Sequence, residues 1–471
     1  MRFDRRVRHA GLLLASSAAV WLVWSAGVAG QIAVRNQGFV PFSDAPIFYR
    51  GEVHDPVAEL QRRLERGEAA LSYEPVNGYL RSVLDLLKIP VSSQTLVFSK
   101  TSFQYKKIAP STPRALYFND DVYVGKIHDG KAIELISFDP RQGAIFYLLD
   151  EAPVARPAFQ RAELDCTTCH VAATTRNVPG VLVRSIYPTP TGTVAERTPT
   201  YVSGNQSPLS ERFGGWYVTG TSGTQTHMGN VTVQDRLNPL SIDRAAGANV
   251  RDLSGRFDTS LYLSPHSDIV AQLVQAHQTQ MHNLITLTSY QTRIALYEQA
   301  QAGGGEGSAP GELTAATKGR IERPAEELVR YLLFADEAPL EGAVTGSSSF
   351  TSDFAARGPR DRHGRSLREF DLKTRLFKYP LSYLIYTEAF DALPAEARSY
   401  IYGRLHDILT ANASSDEFWT LSDADRRAIF EILIETKQDL PANWKTEVTR
   451  QADWGQTGVR PQVQKLPRGG K

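Results

Sequence analysis

The amino-acid sequence predicts an α+β fold, with a β-rich first half and an α-helical second half. Between residues 95 and 150, short segments rich in β-branched and aromatic residues alternate with turn residues, as they do in an antiparallel sheet. From about residue 265, apolar residues recur every three or four positions, which is the spacing of one helix face. This change of period predicts a structural boundary close to residue 262.

Length and composition divide the chain into four parts. Its 471 residues accommodate two or more domains, since a domain usually has about 100–200 residues. We assign a signal peptide or membrane anchor to 1–30, a β-rich domain to 31–262, a helical domain to 263–450 and a disordered tail to 451–471. The tail is mainly Gly, Gln, Pro and basic residues, which do not build an apolar core.

The N-terminus has the pattern of an export signal. Its first charged residues are followed by an uncharged, mainly apolar stretch at 10–34, with small residues at 26–30 before Gln31. The stretch is also long enough to cross a bilayer if it is not cleaved, because about 17–25 residues suffice. In both cases we expect the rest of the chain to lie outside the cytoplasm, in the periplasm or its equivalent.

Several elements are predicted in the first half. Helical spacing predicts helices at 56–67 and 75–87. Apolar segments predict strands at 96–98, 115–118, 122–124, 133–136 and 144–148. Turn residues at 119–121 and 129–130 separate these strands, so consecutive strands are expected to pair. Two further β-like segments lie at 181–187 and 214–220, with a proline-rich loop region between them.

The second half is predicted to be helical. Ile269, Leu273, Ala276, Leu284 and Leu287 fall on one face of a long helix that extends towards residue 299. A glycine-rich loop follows at 301–311. Further helices are predicted at 313–335, 380–390, 394–410 and 422–437.

Charge and cysteine content exclude some classes of protein. The formal net charge is +1, from 52 basic and 51 acidic side chains, so nothing in the balance favours nucleic-acid binding. Only two cysteines occur, three positions apart. That number excludes a disulfide-rich secreted scaffold and a zinc site with four cysteine ligands.

Residues 166–170 read Cys-Thr-Thr-Cys-His, the pattern of covalent haem attachment. In this pattern the thiols of Cys166 and Cys169 add to the two vinyl groups of the haem, and His170 binds the iron. The alternatives are a thiol pair followed by an unrelated histidine, or a thioredoxin-like redox pair. The redox pair is expected in a βαβ context, which is absent around residue 166. Export favours haem attachment, which takes place outside the cytoplasm. The cofactor expected is therefore one covalent haem c.

The sequence leaves four possibilities for the second axial ligand of the iron. Met228 is our first candidate, because a methionine in a loop after the motif is typical of His/Met haem sites. The neighbouring His227 would instead give a bis-histidine site. A third possibility is the group of His277, Met281 and His282 on the long helix, and a fourth is an open position on the iron.

Other residues are candidates for contact with the haem. Arg176, Arg184 and Arg212 would pair with propionates if they are not ordinary surface arginines. Trp216 and Tyr217, flanked by glycines, belong to a strand that packs either on the haem or in an ordinary aromatic core.

The motif resembles that of monohaem c-type cytochromes. The wider run, at 178–185 and at 214–220 and ending at 227–230, is similar to a group of large exported bacterial proteins with a cytochrome c domain. This resemblance implies haem binding and redox activity and names no substrate. In the small all-helical cytochromes the motif lies near the chain start, whereas here a long segment precedes it and its flanks are β-rich.

Three functions follow. The first is electron transfer, with periplasmic or membrane redox proteins as partners and no nucleic acid; contact with a membrane is expected only if the N-terminal segment is retained. The second is a haem-dependent oxidoreductase of the peroxidase or oxygenase type, which needs an open iron and nearby acid and base groups. A two-haem peroxidase would need a second attachment motif, and the chain has one. The third is a haem-containing sensor or scaffold subunit.

Overall fold

The computed structural model describes residues 40–303, 312–410, 418 and 420–444. The predicted signal segment at 1–30 and the predicted tail at 451–471 lie outside the described residues. Within them, the first half is rich in strands and the second half is mainly helical, which confirms this part of the predicted fold class.

The elements of the first half surround one antiparallel sheet. In chain order they are α1 (Pro56–Glu65), α2 (Leu80–Leu86), β1 (Thr95–Val97), β2 (Arg114–Phe118), β3 (Val122–Lys126), β4 (Ala132–Asp139), β5 (Gly143–Asp150), β6 (Phe159–Arg161), α3 (Glu163–His170), β7 (Val183–Ser185), β8 (Tyr201–Ser203), β9 (Trp216–Tyr217), β10 (Gly220–Thr221) and α4 (Arg244–Gly247). Seven of these strands form the sheet, in the order β6-β5-β4-β3-β2-β1-β9. Consecutive strands from β1 to β6 pair as neighbours, as the turn signals predict.

The second half consists of helices and one short strand. They are α5 (Ile269–Gln301), α6 (Ala315–Leu332), β11 (Thr345–Gly346), α7 (Phe350–Ala356), α8 (Glu388–Asp391), α9 (Ala395–Leu409) and α10 (Asp423–Thr436). The strand β11 pairs with β10, which ties the helical half to the first half. No helix among the described residues combines the length and the apolar character needed to cross a membrane.

Alternation along the strands produces two cores, one on each face of the sheet. On β5, Ala144 and Phe146 face the core that contains α5 as far as Ile285. Ile145 and Tyr147 face the core under α1 and α2, which also includes residues from the C-terminal part of α5. The α5 side of this arrangement is continuous across the predicted boundary at 262, because Phe146 belongs to the same cluster of buried residues as Leu284. The sheet and the helical half therefore share a core.

Helix α5 is the central element of this shared core. It is 33 residues long, and nearly all of its side chains from Ile269 to Ala295 are buried. Its N-terminus is capped by Asp268, whose carboxylate accepts from the backbone N–H groups of Val270 and Ala271. The other carboxylate oxygen accepts from Ser347 and Ser348, next to β11. One buried side chain thus anchors both the start of α5 and the β10–β11 pair.

Two predicted helices differ from those observed. Helix α2 begins at Leu80 and not at residue 75, because Glu74 and Gly78 pair in a tight turn in which Gly78 has a φ of 59°. The helix predicted at 380–390 is a single 3₁₀ turn at Tyr383–Tyr386 followed by the short α8. Elements β6 and α7 are absent from the sequence prediction, since both are too short to show a clear period.

Candidate haem-attachment site

The attachment motif forms the end of helix α3. Cys166, Cys169 and His170 occupy positions i, i+3 and i+4 and therefore lie on adjacent parts of one helix face. Cys166 is half-buried against the shared core, whereas Cys169 is exposed. The helix directly follows β6, which pairs with β5, so the motif is held beside this edge of the sheet.

The imidazole of His170 is oriented by the loop that follows it. Its Nδ1 lies 2.8 Å from the carbonyl oxygen of Gly180, and the Gly180 N–H donates to the His170 carbonyl at 3.0 Å. Because a carbonyl only accepts, Nδ1 carries the proton, and Nε2 is the nitrogen with the free electron pair. Burial lowers the pKa of His170, which favours the neutral ring. This is the tautomer that a metal-binding histidine requires.

The loop itself is fixed from α5. Asn283 is fully buried; its Oδ1 accepts from the Val181 N–H at 2.9 Å and its Nδ2 donates to the Val181 carbonyl at 2.7 Å. Gly180 passes so close to this amide that a Cβ there would lie 2.2 Å from Asn283 Oδ1. The position of the Gly180 carbonyl, and with it the orientation of His170, therefore depends on a side chain of α5.

A half-exposed apolar surface lies next to the motif. Phe146 on β5 places its ring centroid 5.1 Å from that of His170. Leu116, Ile136 and Leu148 lie on the same face of the sheet as Phe146 and are only partly buried. In the register of the sheet, Gly125 lies between Leu116 and Glu134 and leaves this stretch without a side chain on β3. Such an apolar area suits one face of a macrocycle.

Charged side chains border this surface. Arg114 on β2 and Glu134 on β4 form an ion pair at 2.8 Å, and Arg184 on β7 is exposed. All three charges act on the pKa of His170, so they lie near its ring. Arg184 had been predicted as a propionate partner, whereas Arg114 had not, because only strand pairing brings residue 114 close to residue 170.

The other two predicted arginines have partners within the protein. Arg176, in a left-handed turn, forms an ion pair with Glu327 of α6. Arg212 is buried and donates to the backbone carbonyls of Ser207 and Asn205, at 2.8 Å and 3.3 Å.

The aromatic pair on β9 divides between the two faces of the sheet. Trp216 lies in the same core as Phe146, and its ring N–H donates to the Arg184 carbonyl at 2.8 Å. Tyr217 lies in the opposite core and donates to the Pro110 carbonyl at 2.8 Å. Trp216 is therefore connected to the border of the candidate site, and Tyr217 is not on that face.

Met228, the first candidate for the second axial ligand, is fully buried in a small cluster with Tyr187, Val233 and Ile242. The Ser185 hydroxyl donates to its Sδ at 3.8 Å. Cys166 packs on a different cluster. Ligation by Met228 stays a prediction, and it would require Sδ to exchange its contact with Ser185 for the iron.

The alternative ligands are also engaged elsewhere. His277 hydrogen-bonds through both ring nitrogens, to Asn205 at 3.0 Å and to Ser382 at 2.8 Å. His282 donates from Nε2 to the Asp120 carbonyl at 2.9 Å and stacks on Phe138. Burial lowers the pKa of His277 to about 3 and that of His282 to about 4, so both rings are neutral.

His227 and Met281 complete the set of candidates. Nδ1 of His227 accepts from the Gly229 N–H at 3.1 Å, and burial lowers the pKa of this histidine to about 4. Met281 is fully buried in the shared core.

No family model, no curated protein and no solved structure matches this chain. Among the residues that the structure describes, no group of three or more His, Cys, Asp and Glu side chains is arranged to hold a metal ion. A covalent haem needs a different set, namely two thiols and one imidazole beside an apolar surface. Cys166, Cys169 and His170 fit that set. The hydrogen bond from His170 Nδ1 to the Gly180 carbonyl leaves Nε2 as the ring nitrogen that can bind a metal.

A partly buried carboxyl near Arg212 allows a test of the pH dependence of stability. Glu337 accepts from the Leu376 N–H at 2.9 Å and shares with Arg212 and Asn205 a cavity with room for a single water molecule. Burial raises the pKa of Glu337 to about 7, although Arg212 and Arg375 oppose the shift and Asp371 adds to it. The folded protein therefore holds this proton at a pH at which the unfolded chain has released it.

We expect Glu337→Gln to stabilise the protein at pH 8 and not at pH 4. A raised carboxyl pKa gives stability that is present below the unfolded value of 4.5 and lost as the pH rises through about 7. The amide avoids this loss and still accepts from Leu376, so its free energy of unfolding at pH 8 should exceed that of the wild type by about 1–3 kcal/mol. Urea unfolding at both pH values measures this difference in the free energy of unfolding, and the exposed Glu341→Gln is the control. If Glu337→Gln changed the free energy of unfolding equally at pH 4 and pH 8, the expectation would be contradicted.

Proposed function

We propose that this chain is an exported, periplasmic c-type cytochrome that transfers electrons through one covalent haem. Cys166 and Cys169 would form the thioethers and His170 would bind the iron. The observation that carries the proposal is the hydrogen bond from His170 Nδ1 to the Gly180 carbonyl, on the helix face that also holds both cysteines. This hydrogen bond supports the proposal because it leaves the electron pair at Nε2, the form in which an imidazole binds iron.

Each part of the site has a separate task in this proposal. The bound haem supplies the one-electron chemistry. The Gly180 carbonyl holds the His170 ring and strengthens its Nε2 as a ligand. Leu116, Ile136 and Leu148 keep water from one face of the site, and this raises the cost of placing charge there.

The surroundings of the site also have a role. Arg114 and Arg184 carry charges that act on His170, and they would pair with carboxylates of a cofactor, Arg114 while it keeps or exchanges its ion pair with Glu134. Met228 remains the proposed second axial ligand. The partners are periplasmic or membrane redox proteins, and the chain would be anchored to the membrane only if residues 1–30 are retained.

An absorption measurement of the haem linkage tests the proposal. The protein is made in a host that attaches haem c, and its alkaline pyridine haemochrome spectrum is recorded. We expect a spectrum of haem with both vinyl groups saturated, and in Cys166→Ala or Cys169→Ala a shift towards a haem with one remaining vinyl group. Thr167→Ala, on the same helix, should leave the spectrum unchanged. A spectrum of two free vinyl groups in the wild type would refute covalent attachment.

A haem-dependent oxidoreductase is the second candidate function. It is favoured because possible axial ligands make hydrogen bonds within the protein. Met228 accepts from Ser185, and both ring nitrogens of His277 are hydrogen-bonded, to Asn205 and to Ser382. If these contacts persist, the iron keeps an open position at which a small molecule binds. Carbon monoxide distinguishes the two candidates, because a closed site leaves the ferrous spectrum unchanged and an open site gives a rapid change.

A further inference from the structure

An exposed loop at 100–107 carries aromatic and basic side chains together. Phe103 and Tyr105 are 53% and 47% exposed, although both are large and apolar. Lys106 and Lys107 follow them in an exposed 3₁₀ turn, and Lys100 begins the loop. We call residues 100–107 the basic loop. Its aromatic side chains give it an apolar area that nothing in the described structure covers.

The basic loop is fixed at the border of the candidate haem site. The Ser102 hydroxyl and the Gln104 amide both donate to Oε1 of Glu134, at 2.5 Å and 2.9 Å. The other carboxylate oxygen of Glu134 accepts from Arg114 at 2.8 Å. Glu134 is one of the charges that act on His170. A single carboxylate therefore connects the loop, the ion pair at the border and the surroundings of the axial histidine.

The loop belongs to a local excess of positive charge. Gln104 also accepts from the N–H of Lys131, which brings a third exposed lysine to the loop beside the partly buried Lys100. The nearest exposed acidic residue along the β3–β4 turn is Asp129. Among the ion pairs of the described residues, none involves Lys100, Lys106, Lys107 or Lys131. The whole chain is nearly neutral, with 52 basic and 51 acidic residues, so this excess of positive charge is local to the basic loop and Lys131.

We propose that the basic loop, together with Lys131, is the docking surface for a redox partner protein with an acidic surface. The proposal rests on the proposed electron-transfer function and names the kind of partner that the site takes. Uncompensated lysines attract an acidic partner over about a Debye length and raise the rate of encounter. Phe103 and Tyr105 then supply the apolar contact that a protein partner buries and a small anion does not.

Stopped-flow oxidation of the reduced protein tests the charge part of the proposal. The oxidants are ferricyanide, which is anionic, and a cationic cobalt complex. With ferricyanide we expect a rate that falls as salt is added, and for Lys106→Glu/Lys107→Glu a rate lowered about tenfold at low ionic strength. The cationic oxidant should show the opposite response. The control exchanges two exposed lysines of the helical half, Lys318→Glu/Lys373→Glu, and should leave both rates unchanged.

An acidic protein tests the aromatic part. With reduced flavodoxin as electron donor, Phe103→Ser/Tyr105→Ser should lower the rate of electron transfer, while the rate with ferricyanide stays the same. Vesicles of phosphatidylglycerol, sedimented with the protein, test the competing occupant, an anionic membrane. Retention of the protein by vesicles through the same lysines would overturn the proposal in favour of a membrane surface.

These experiments distinguish loss of the docking surface from loss of the haem. A chain with an intact haem spectrum whose rates do not respond to the lysine or aromatic substitutions overturns the docking surface alone. A chain without covalent haem overturns the proposed function, and the docking surface with it.

Discussion

Replacing His170 by alanine should lower the haem content per purified chain by about tenfold or more. Because the proposed haem is held by two thioethers, the loss acts on attachment: without His170 the iron is not held beside the two thiols while these bonds form. Even the outer partners of a metal-binding histidine have effects of about 10–100-fold on metal binding. No other histidine lies on α3 to take its place. Haem content is measured as the ratio of haem absorbance to polypeptide, and added imidazole should partly restore the native spectrum of the haem that remains.

A second histidine provides the control for this substitution. His128, partly exposed in the turn between β3 and β4, is replaced by alanine in the same way. We expect this variant to keep the haem content and spectrum of the wild type. Equal behaviour of the two variants would show that His170 is not the axial ligand.

Gly180→Ala should be among the most destabilising substitutions in the first half. The new Cβ would lie 2.2 Å from Asn283 Oδ1 and 3.2 Å from the Thr175 Cβ, both buried neighbours. To avoid this contact, the Asn283 amide would have to move away from Val181. The substitution would then cost the energy of steric crowding and of one or two lost hydrogen bonds. We expect the free energy of unfolding to fall by about 2–4 kcal/mol.

The effect of Gly180→Ala is measured by urea unfolding together with the absorption spectrum. The spectrum should also change, because the carbonyl that orients His170 is displaced. Gly319→Ala is the matched control, since a Cβ at this exposed position of α6 meets nothing within 4 Å. In a helix interior this exchange should stabilise by about 0.5–1 kcal/mol. A Gly180→Ala protein as stable as the wild type would contradict the close approach of α5 to the loop.

The sheet could be predicted from the sequence because its signals are local. The strands β2 to β5 alternate in β-branched and aromatic residues, and Asn119 and Asp129 mark turns between neighbours. The long helix α5 was predicted from its apolar face alone. Its polar side chains are buried as well, and the period of the sequence does not reveal their partners: Gln278, for example, donates to the Asn119 carbonyl at 2.7 Å.

The candidate site could be predicted only in part. Cys166, Cys169 and His170 were found because their spacing along the chain is itself the signal. The groups that orient and surround them come from elsewhere: Glu134 from the middle of the sheet and Asn283 from α5. These contacts depend on tertiary packing, and no local pattern marks them. The closest signal available was the Pro-Gly pair that ends in Gly180, which predicts a turn but not its hydrogen bond to His170.

The intact mass of the denatured chain tests covalent haem attachment most directly. The protein is produced in a host with the haem c attachment machinery, unfolded in acid and separated from any free pigment before its mass is recorded. We predict one haem added to each polypeptide, with the colour remaining on the chain, and the loss of both in the Cys166→Ala/Cys169→Ala variant. A colourless wild-type chain with the mass of its polypeptide alone would contradict the account.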